Sequence, residues 1–342
     1  MNNNSVQATV PRGWLPVDAV VVDGRPGLCW LDMRQIELTE PFFAQSVARA
    51  RTDGVSRGEL FTEFDVLLQL EKLIEGVSPT GFIFHSSRCG STLVANACRA
   101  VSNSIVISEA DAVDKLIVRF ITDSTPGDVK ETLYSVFLRG LVNVLAQRRS
   151  GNEQHLFLKF ACCSFSQIKR IRRIWPAVPC LFLYRDPVET IVSNLRDVPP
   201  WLTDDDRRVL AFITGASPST VAGMKLEELC ARTIGSFFSS ACDLANDNMM
   251  LLNYRQLSAP VLSGILNFFN INLSPEEAEA VERGSKIYSK EVSGTRKFVS
   301  DADVKQKLAT DLIREMADRW AIDPYRRLEQ KRLETNRTGE QI

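Results

Sequence analysis

Residues 81–94 read Gly81-Phe82-Ile83-Phe84-His85-Ser86-Ser87-Arg88-Cys89-Gly90-Ser91-Thr92-Leu93-Val94. A short apolar run enters a turn of small residues, and the turn opens a segment with helical periodicity. Strand, small-residue loop and helix in that order is phosphate-loop topology. Small side chains let backbone N–H groups approach an anion, and the N–H groups at the start of the helix add partial positive charge. Ser91 and Thr92 can add hydroxyl hydrogen bonds. The nucleoside triphosphatase pattern GxxxxGK followed by Ser or Thr is absent, because Gly90 directly precedes Ser91-Thr92 and the loop holds no lysine. Arg88 supplies the cation instead. For this segment alone, an ordinary strand–turn–helix connection with an incidental arginine is the alternative.

The same alternation continues on the C-terminal side. Apolar runs at 82–85, 104–108, 155–160, 180–185 and 249–254 are separated by helical periods near 91–101, 110–121, 129–149, 165–174, 187–196 and 226–246. That pattern predicts an α/β fold: a P-loop-like parallel sheet of five strands with helices on both faces, and ligands at the carboxyl ends of the strands. On the N-terminal side, residues 17–33 place two apolar runs around Asp23-Gly24-Arg25-Pro26-Gly27, which is hairpin chemistry. Thr39 then stands as N-cap with Pro41 in the first turn of a helix through Arg51, and a second helix is expected over 62–75. Residues 1–78 are therefore expected to form a small hairpin and helix extension docked on a domain spanning 79–333. Within that domain, 197–225 breaks the rhythm with Pro199-Pro200-Trp201 and three aspartates at 204–206, and is expected to be an insertion over the sheet edge and a lid that selects the acceptor. Residues 301–333 look helical, and 334–342 are expected to fray.

Across its 342 residues the chain carries 41 Lys and Arg against 42 Asp and Glu, a net charge of −1. This balance argues against a nucleic-acid partner bound through a wide basic face and leaves room for a local anion pocket. Eight cysteines include no CxxC pair, and His85 and His155 are the only imidazoles, so a zinc site is not expected. The N-terminal residues lack the basic start and apolar run of a signal peptide, and no segment reaches about 18 uninterrupted apolar residues. A cytoplasmic protein with no membrane partner is expected, with buried thiols; the oligomeric state has no readable signal.

A second strand-to-helix segment, Leu181-Phe182-Leu183-Tyr184-Arg185-Asp186-Pro187, places Arg185 at a strand end and Ser193 eight residues later. A phosphate between them could take a guanidinium fork and a hydroxyl. The alternative is an Arg–Asp salt bridge and an N-terminal proline that serve only the fold. Taken together and in this order, the two segments resemble the sulfotransferase family that uses 3′-phosphoadenosine-5′-phosphosulfate. Leu252-Asn253-Tyr254-Arg255-Gln256-Leu257 is similar to that family's tyrosine-x-x-leucine strand end, with Arg255 and Gln256 where an acidic pair is more usual. Tyr288-Ser289-Lys290 followed by Lys305 is similar to the stretch that closes over the donor in bacterial members.

The resemblance covers roughly 80–310 and implies sulfuryl transfer from that nucleotide co-substrate to a hydroxyl or amine of a small-molecule acceptor, without a metal. It implies donor binding by Ser87, Arg88, Cys89, Gly90, Ser91, Thr92, Arg185, Ser193, Tyr254 and Lys290. Lys159 matches the family's lysine at a strand end, where a cation could stabilise charge on the bridging oxygen beside Arg88; Ala161 replaces the histidine usual two positions later. Glu109, after the strand at 104–108, is the expected general base, with His85 second and an N-cap or salt-bridge role for Glu109 as the alternative. A kinase on the same loop and a catalytically silent nucleotide-binding scaffold are the competing functions.

Overall fold

The computed structural model describes residues 10–54, 58–123, 127–204, 206–286 and 301–338. Five strands form the expected parallel sheet: β4 (Pro79–His85), β5 (Ser104–Ser108), β6 (His155–Lys159), β7 (Cys180–Tyr184) and β8 (Met249–Asn253), in the order β5-β6-β4-β7-β8. Their continuous apolar runs reflect burial on both faces. Phe82, Phe84, Phe182 and Tyr184 enter the larger core, whereas the alternate residues Ile83, Leu181 and Leu183 pack on the opposite face against the helix Ser91–Arg99. The period of two in side-chain direction thus divides each strand between two cores. Chain order reverses between β4 and β7, which places the loops following both at the crevice where such sheets bind ligands.

The N-terminal residues form a three-stranded antiparallel sheet of β1 (Trp14–Val22), β2 (Arg25–Asp32) and β3 (Glu59–Glu63). β1 and β2 are the expected hairpin. β3 occupies the front of the segment expected to be helical from 62, and the helix there spans Val66–Leu73 instead. Trp30 decides this: its fully buried indole N–H donates to Thr62 Oγ1 at 2.8 Å, which fixes the third strand against the second. The helix expected from Thr39 begins at Phe43, with Phe42 as the N-cap position. Glu40 is the cause, because its buried carboxylate accepts from Ser46 Oγ and Arg49 Nε, both at 2.5 Å, and so fastens the bent segment before Phe43 to the side of the helix. Leu15, Trp30 and Leu31 belong to the same apolar cluster as Phe82 and Phe84, so the extension shares the core of the sheet.

The segment 197–225, expected as an insertion, is helical in three places. The short helices Pro200–Thr203, Arg208–Thr214 and Pro218–Ala222 bury Leu202, Leu210 and Val221. The middle helix packs against the helices Asp111–Thr122 and Leu226–Leu244. At the C-terminus the helix Ile322–Thr338 continues into the stretch expected to fray, where Thr335 Oγ1 donates to the Lys331 carbonyl at 3.1 Å. All eight cysteines are free thiols.

The C-terminal helices dock through a close backbone approach. A Cβ at Gly235, in the helix Leu226–Leu244, would lie 2.1 Å from the carbonyl oxygen of Trp320. Gly235→Ala is expected to lower the unfolding free energy by about 1–3 kcal/mol, the usual cost of overpacking, in urea denaturation. A change below about 0.5 kcal/mol, the scale of an ordinary surface substitution, would show that these helices yield without cost.

Candidate functional site

The phosphate-like loop is curled by left-handed backbone at Ser87 (φ 74°), Arg88 (φ 51°) and Gly90 (φ 86°). Such runs turn successive amides toward one side and make an anion-sized concavity, and the strain at Ser87 and Arg88 is of the kind that collects at functional sites. Side chains hold the curl from beneath. The Ser87 N–H donates to His85 Nδ1 at 3.1 Å, Ser87 Oγ donates to Asn194 Oδ1 at 2.9 Å, and Cys89 Sγ donates to the Leu183 carbonyl at 3.3 Å. Burial pushes the Cys89 thiol up to about 11, so it acts as a packed donor and not as a thiolate. At Gly90 the left-handed φ favours glycine, and a Cβ there would also lie 2.4 Å from Leu257 Cδ1, so that side chain would have to shift. The following helix, Ser91–Arg99, starts directly after Gly90, so the positive end of its dipole lies at the loop.

Arg185 follows β7 and is 2% exposed. Its Nε donates to Glu189 at 2.7 Å, its Nη2 reaches Asp301 at 2.7 Å, and the Tyr254 ring lies 4.1 Å from the guanidinium carbon. Asp186 is not its partner: that carboxylate accepts the Glu189 N–H at 3.1 Å and caps the helix Pro187–Arg196. Arg255, the departure from the acidic pair, also binds Glu189, at 3.0 Å. Burial would raise the fully buried Glu189 carboxyl, but Arg185 and Arg255 hold it below its ordinary value. Lys305 joins the cluster with Nζ 2.8 Å from Asp301, so two cations share one carboxylate.

At the next strand ends, the β5–β6 register sets Ser108 beside Lys159, which brings Glu109 over the lysine. Glu109 is also left-handed (φ 51°) and its side chain is 28% exposed, whereas that of Lys159 is fully buried. The Lys159 ammonium binds the Glu109 carboxylate and sits 4.7 Å from the centre of the Phe42 ring. His85 Nε2 lies 3.4 Å from the same carboxylate. Because Nδ1 accepts an amide hydrogen, the proton of the neutral ring resides on Nε2 and faces Glu109. Burial would raise the Glu109 carboxyl, but Lys159 and His85 bring it well below the usual carboxylate range. His85 thus orders the loop and supports Glu109, and Lys159, expected as a cation at the bridging oxygen, does not line the cavity: its ammonium is engaged by Glu109, which does.

These parts meet in a cavity of about 430 Å³. Of the residues singled out in the sequence, His85, Ser87, Arg88, Cys89, Gly90, Ser91, Thr92, Glu109, Arg185, Ser193 and Tyr254 line it; Lys159 lies behind it, and Lys290 falls outside the described residues. The lining also includes Phe42, Asp197 to Trp201, Asp301 and Lys305, so only the beginning of the 197–225 segment reaches the site. Asp197 caps Arg88, with its carboxylate 2.7 Å and its carbonyl 2.5 Å from Nη2. Asp197 and Asp301 were missed in the sequence because their partners are distant in the chain, although the four-residue spacing of Asp301 and Lys305 within a helical stretch was visible. Asn194, fully buried beneath the loop, left no such signal.

No family model matches the chain, and no curated protein matches it. Solved structures do. The sulfotransferase domain from the curacin biosynthetic pathway is similar at 16% identity and a TM-score of 0.35, over 75% of this chain and 97% of that one. A sulfotransferase from Mycobacterium avium is similar at 10% identity and a TM-score of 0.41, over 75% of this chain and 81% of that one. A mouse sulfotransferase complexed with PAP is similar at 12% identity and a TM-score of 0.33, over 82% of this chain and 94% of that one. All three are sulfotransferases; at these identities and scores the likenesses carry no argument about this chain.

One further carboxyl stands just behind the cavity. Asp114 accepts from Ser164 Oγ at 2.7 Å, and burial pushes its carboxyl up to about 7 from an ordinary 3.8. Raised in the folded state, it binds a proton that the unfolded chain has released, so stability falls as pH rises from about 4 to about 7. Asp114→Asn keeps an acceptor for Ser164 and is expected to flatten this part of the stability profile, raising the melting temperature at pH 8 relative to wild type. Unchanged profiles in the two proteins would remove the buried-carboxyl account.

Proposed function

We propose that this protein is a sulfotransferase that takes 3′-phosphoadenosine-5′-phosphosulfate as donor and transfers the sulfuryl group to a hydroxyl or amine of a small acceptor. One observation carries the proposal: Arg88, Arg185 and Lys305 converge on one cavity, and each is neutralised there by a carboxylate from a flanking segment, Asp197 or Asp301. Those carboxylates are 79% and 47% exposed, so an anionic ligand can replace them without leaving a buried charge unpaired. A ligand with two separated phosphate groups fits two separated cationic centres. The curled loop, with no lysine in it, fits a phosphosulfate better than the β- and γ-phosphates of a nucleoside triphosphate.

The donor supplies a sulfuryl group already activated on a phosphate leaving group. Loop amides, Ser91, Thr92 and Arg88 hold the end that reacts and stabilise its developing charge, while Arg185, Ser193 and Lys305 hold the second phosphate. Glu109 faces the cavity as the group that accepts the acceptor's proton, and Lys159 and His85 position it. In the resting site its proton affinity is too low for a good base. Negative charge arriving in the cavity raises that affinity, so donor binding and base strength are linked. Phe42, Val198, Pro199, Pro200 and Trp201 supply the apolar wall on which the acceptor would lie, and closure of this segment over the acceptor is part of the proposal.

Adenosine 3′,5′-bisphosphate is expected to raise the melting temperature, and ATP with magnesium is not; the reverse order would favour a kinase, and no shift with either a scaffold. Arg185→Ala should weaken bisphosphate binding well over tenfold, since losing a guanidinium fork to a phosphate costs about 2–4 kcal/mol. Asp301→Asn should strengthen it roughly three- to tenfold by removing a competing charge. An unchanged affinity in folded Arg185→Ala protein would sink the assignment.

Glu109→Gln should leave donor affinity intact and lower turnover at least ~100-fold. Retained turnover in that variant, with collapse in His85→Ala, would transfer the base role to the histidine.

A further inference from the structure

A second cavity, of about 660 Å³, lies along the outer edge of β5 and shares no lining residue with the site described above. Ser104, Ile105 and Val106 of β5 line it, together with the connection at 34–39, Arg99 at the end of the helix Ser91–Arg99, and part of the loop 149–153. Among the described residues β5 is an edge strand, paired with β6 alone. The Glu109 N–H donates to the Lys159 carbonyl on β6 at 2.7 Å, so by strand alternation the peptide groups of Val106 turn to the opposite, open side.

Two arginines enter this cavity without a carboxylate partner among the described residues. Arg99 donates Nη1 to Asn96 Oδ1 at 2.8 Å and Nη2 to Ser108 Oγ at 3.2 Å, both uncharged acceptors, and its buried Nε has no hydrogen-bond partner. Arg149 donates Nη1 to the Ile36 carbonyl at 3.0 Å. Glu153, which also lines the cavity, is committed elsewhere: its carboxylate accepts the N–H groups of Arg149, Ser150 and Gly151 at 3.1, 2.8 and 3.0 Å. Arg34 at the rim is the contrast, because Asp32 holds its Nε at 2.9 Å and its Nη2 at 2.6 Å. Burial lowers the guanidinium of Arg99 to about 10 and lowers that of Arg149 as well; the charges of Glu40 on the first and of Glu153 and Glu37 on the second offset only part of the cost of removing these cations from water.

We propose that this cavity is a second binding site, for a small organic oxyanion whose carboxylate or phosphate lies against Arg99 and Arg149 and whose apolar body lies on Ile36, Leu38, Ile105 and Val106. A planar guanidinium suits either oxyanion, and an anion there adds the direct ion pair that neither arginine has among the described residues. The apolar part of the lining distinguishes this occupant from an inorganic ion. The site stands independently of the sulfotransferase proposal, since neither arginine lines the donor cavity.

Calorimetric titration of benzoate and of phenyl phosphate into the full chain tests this, with Arg185→Ala, Arg149→Gln and Arg99→Gln as comparisons. Wild type is expected to bind at least one probe with a dissociation constant of about 1 mM or tighter. Arg185→Ala should retain that binding, and Arg149→Gln and Arg99→Gln should each weaken it about tenfold or more. Binding of phenyl phosphate alone identifies a phosphate ligand and binding of benzoate alone a carboxylate; either supports the site. If Arg99→Gln does not fold, Arg149→Gln decides. Absence of binding to wild type by both probes, or binding that the Arg149 variant leaves unchanged, overturns the proposal.

Discussion

A permanently charged guanidinium buried at the end of β7 is the constraint around which the site is arranged. Arg185 cannot shed its proton, and at 2% exposure water cannot solvate it, so the protein must neutralise it. Glu189 does so from one turn into the following helix, and its own full burial is tolerable only because Arg185 and Arg255 both reach it. Asp301 does so from the other side and draws Lys305 in with it. Arg185 thereby ties together the end of β7, the helix Pro187–Arg196, the Tyr254 turn after β8 and the first of the C-terminal helices. Of its two carboxylate partners Glu189 is fully buried, whereas Asp301 is half-exposed and lines the cavity.

The same division recurs elsewhere in the site. Arg88 is held by the exposed Asp197, and Lys159, wholly buried, is held by Glu109, which retains contact with the cavity. Backbone strain gathers in the same places, with left-handed conformations at Ser87, Arg88 and Glu109. Each is stabilised by what lies beneath: Asn194 and His85 brace the loop, and Lys159 anchors Glu109. In each case the outer carboxylate lines the cavity, which is the arrangement the proposed exchange for phosphate would use.

Much of the fold could be read in the sequence because the five parallel strands are apolar on both faces, and a run such as Cys180–Tyr184 has few other uses. Glu59–Glu63 was harder: its ends are charged and exposed, and it is a strand only because Trp30 and Thr62 meet across 32 residues. Similarly, Thr39-Glu40-Pro41 carries good helix-start chemistry that tertiary contacts to Glu40 override. In the site, residues on loops directly following strands were legible, since topology alone brings Arg88, Glu109 and Arg185 to one edge. The state of Lys159 was not, because its ion pair depends on the β5–β6 register, and neither were Asp197 and Asp301, whose arginine partners lie more than a hundred residues away.

Exchange of carboxylates for phosphates at Arg88 and Arg185 is most directly tested by a crystal structure with adenosine 3′,5′-bisphosphate bound. A phosphate within hydrogen-bond distance of Arg185 and Lys305, with the Asp301 carboxylate withdrawn from both, is the predicted result. A bisphosphate bound elsewhere while Asp301 keeps both cations and Asp197 keeps Arg88 would contradict it.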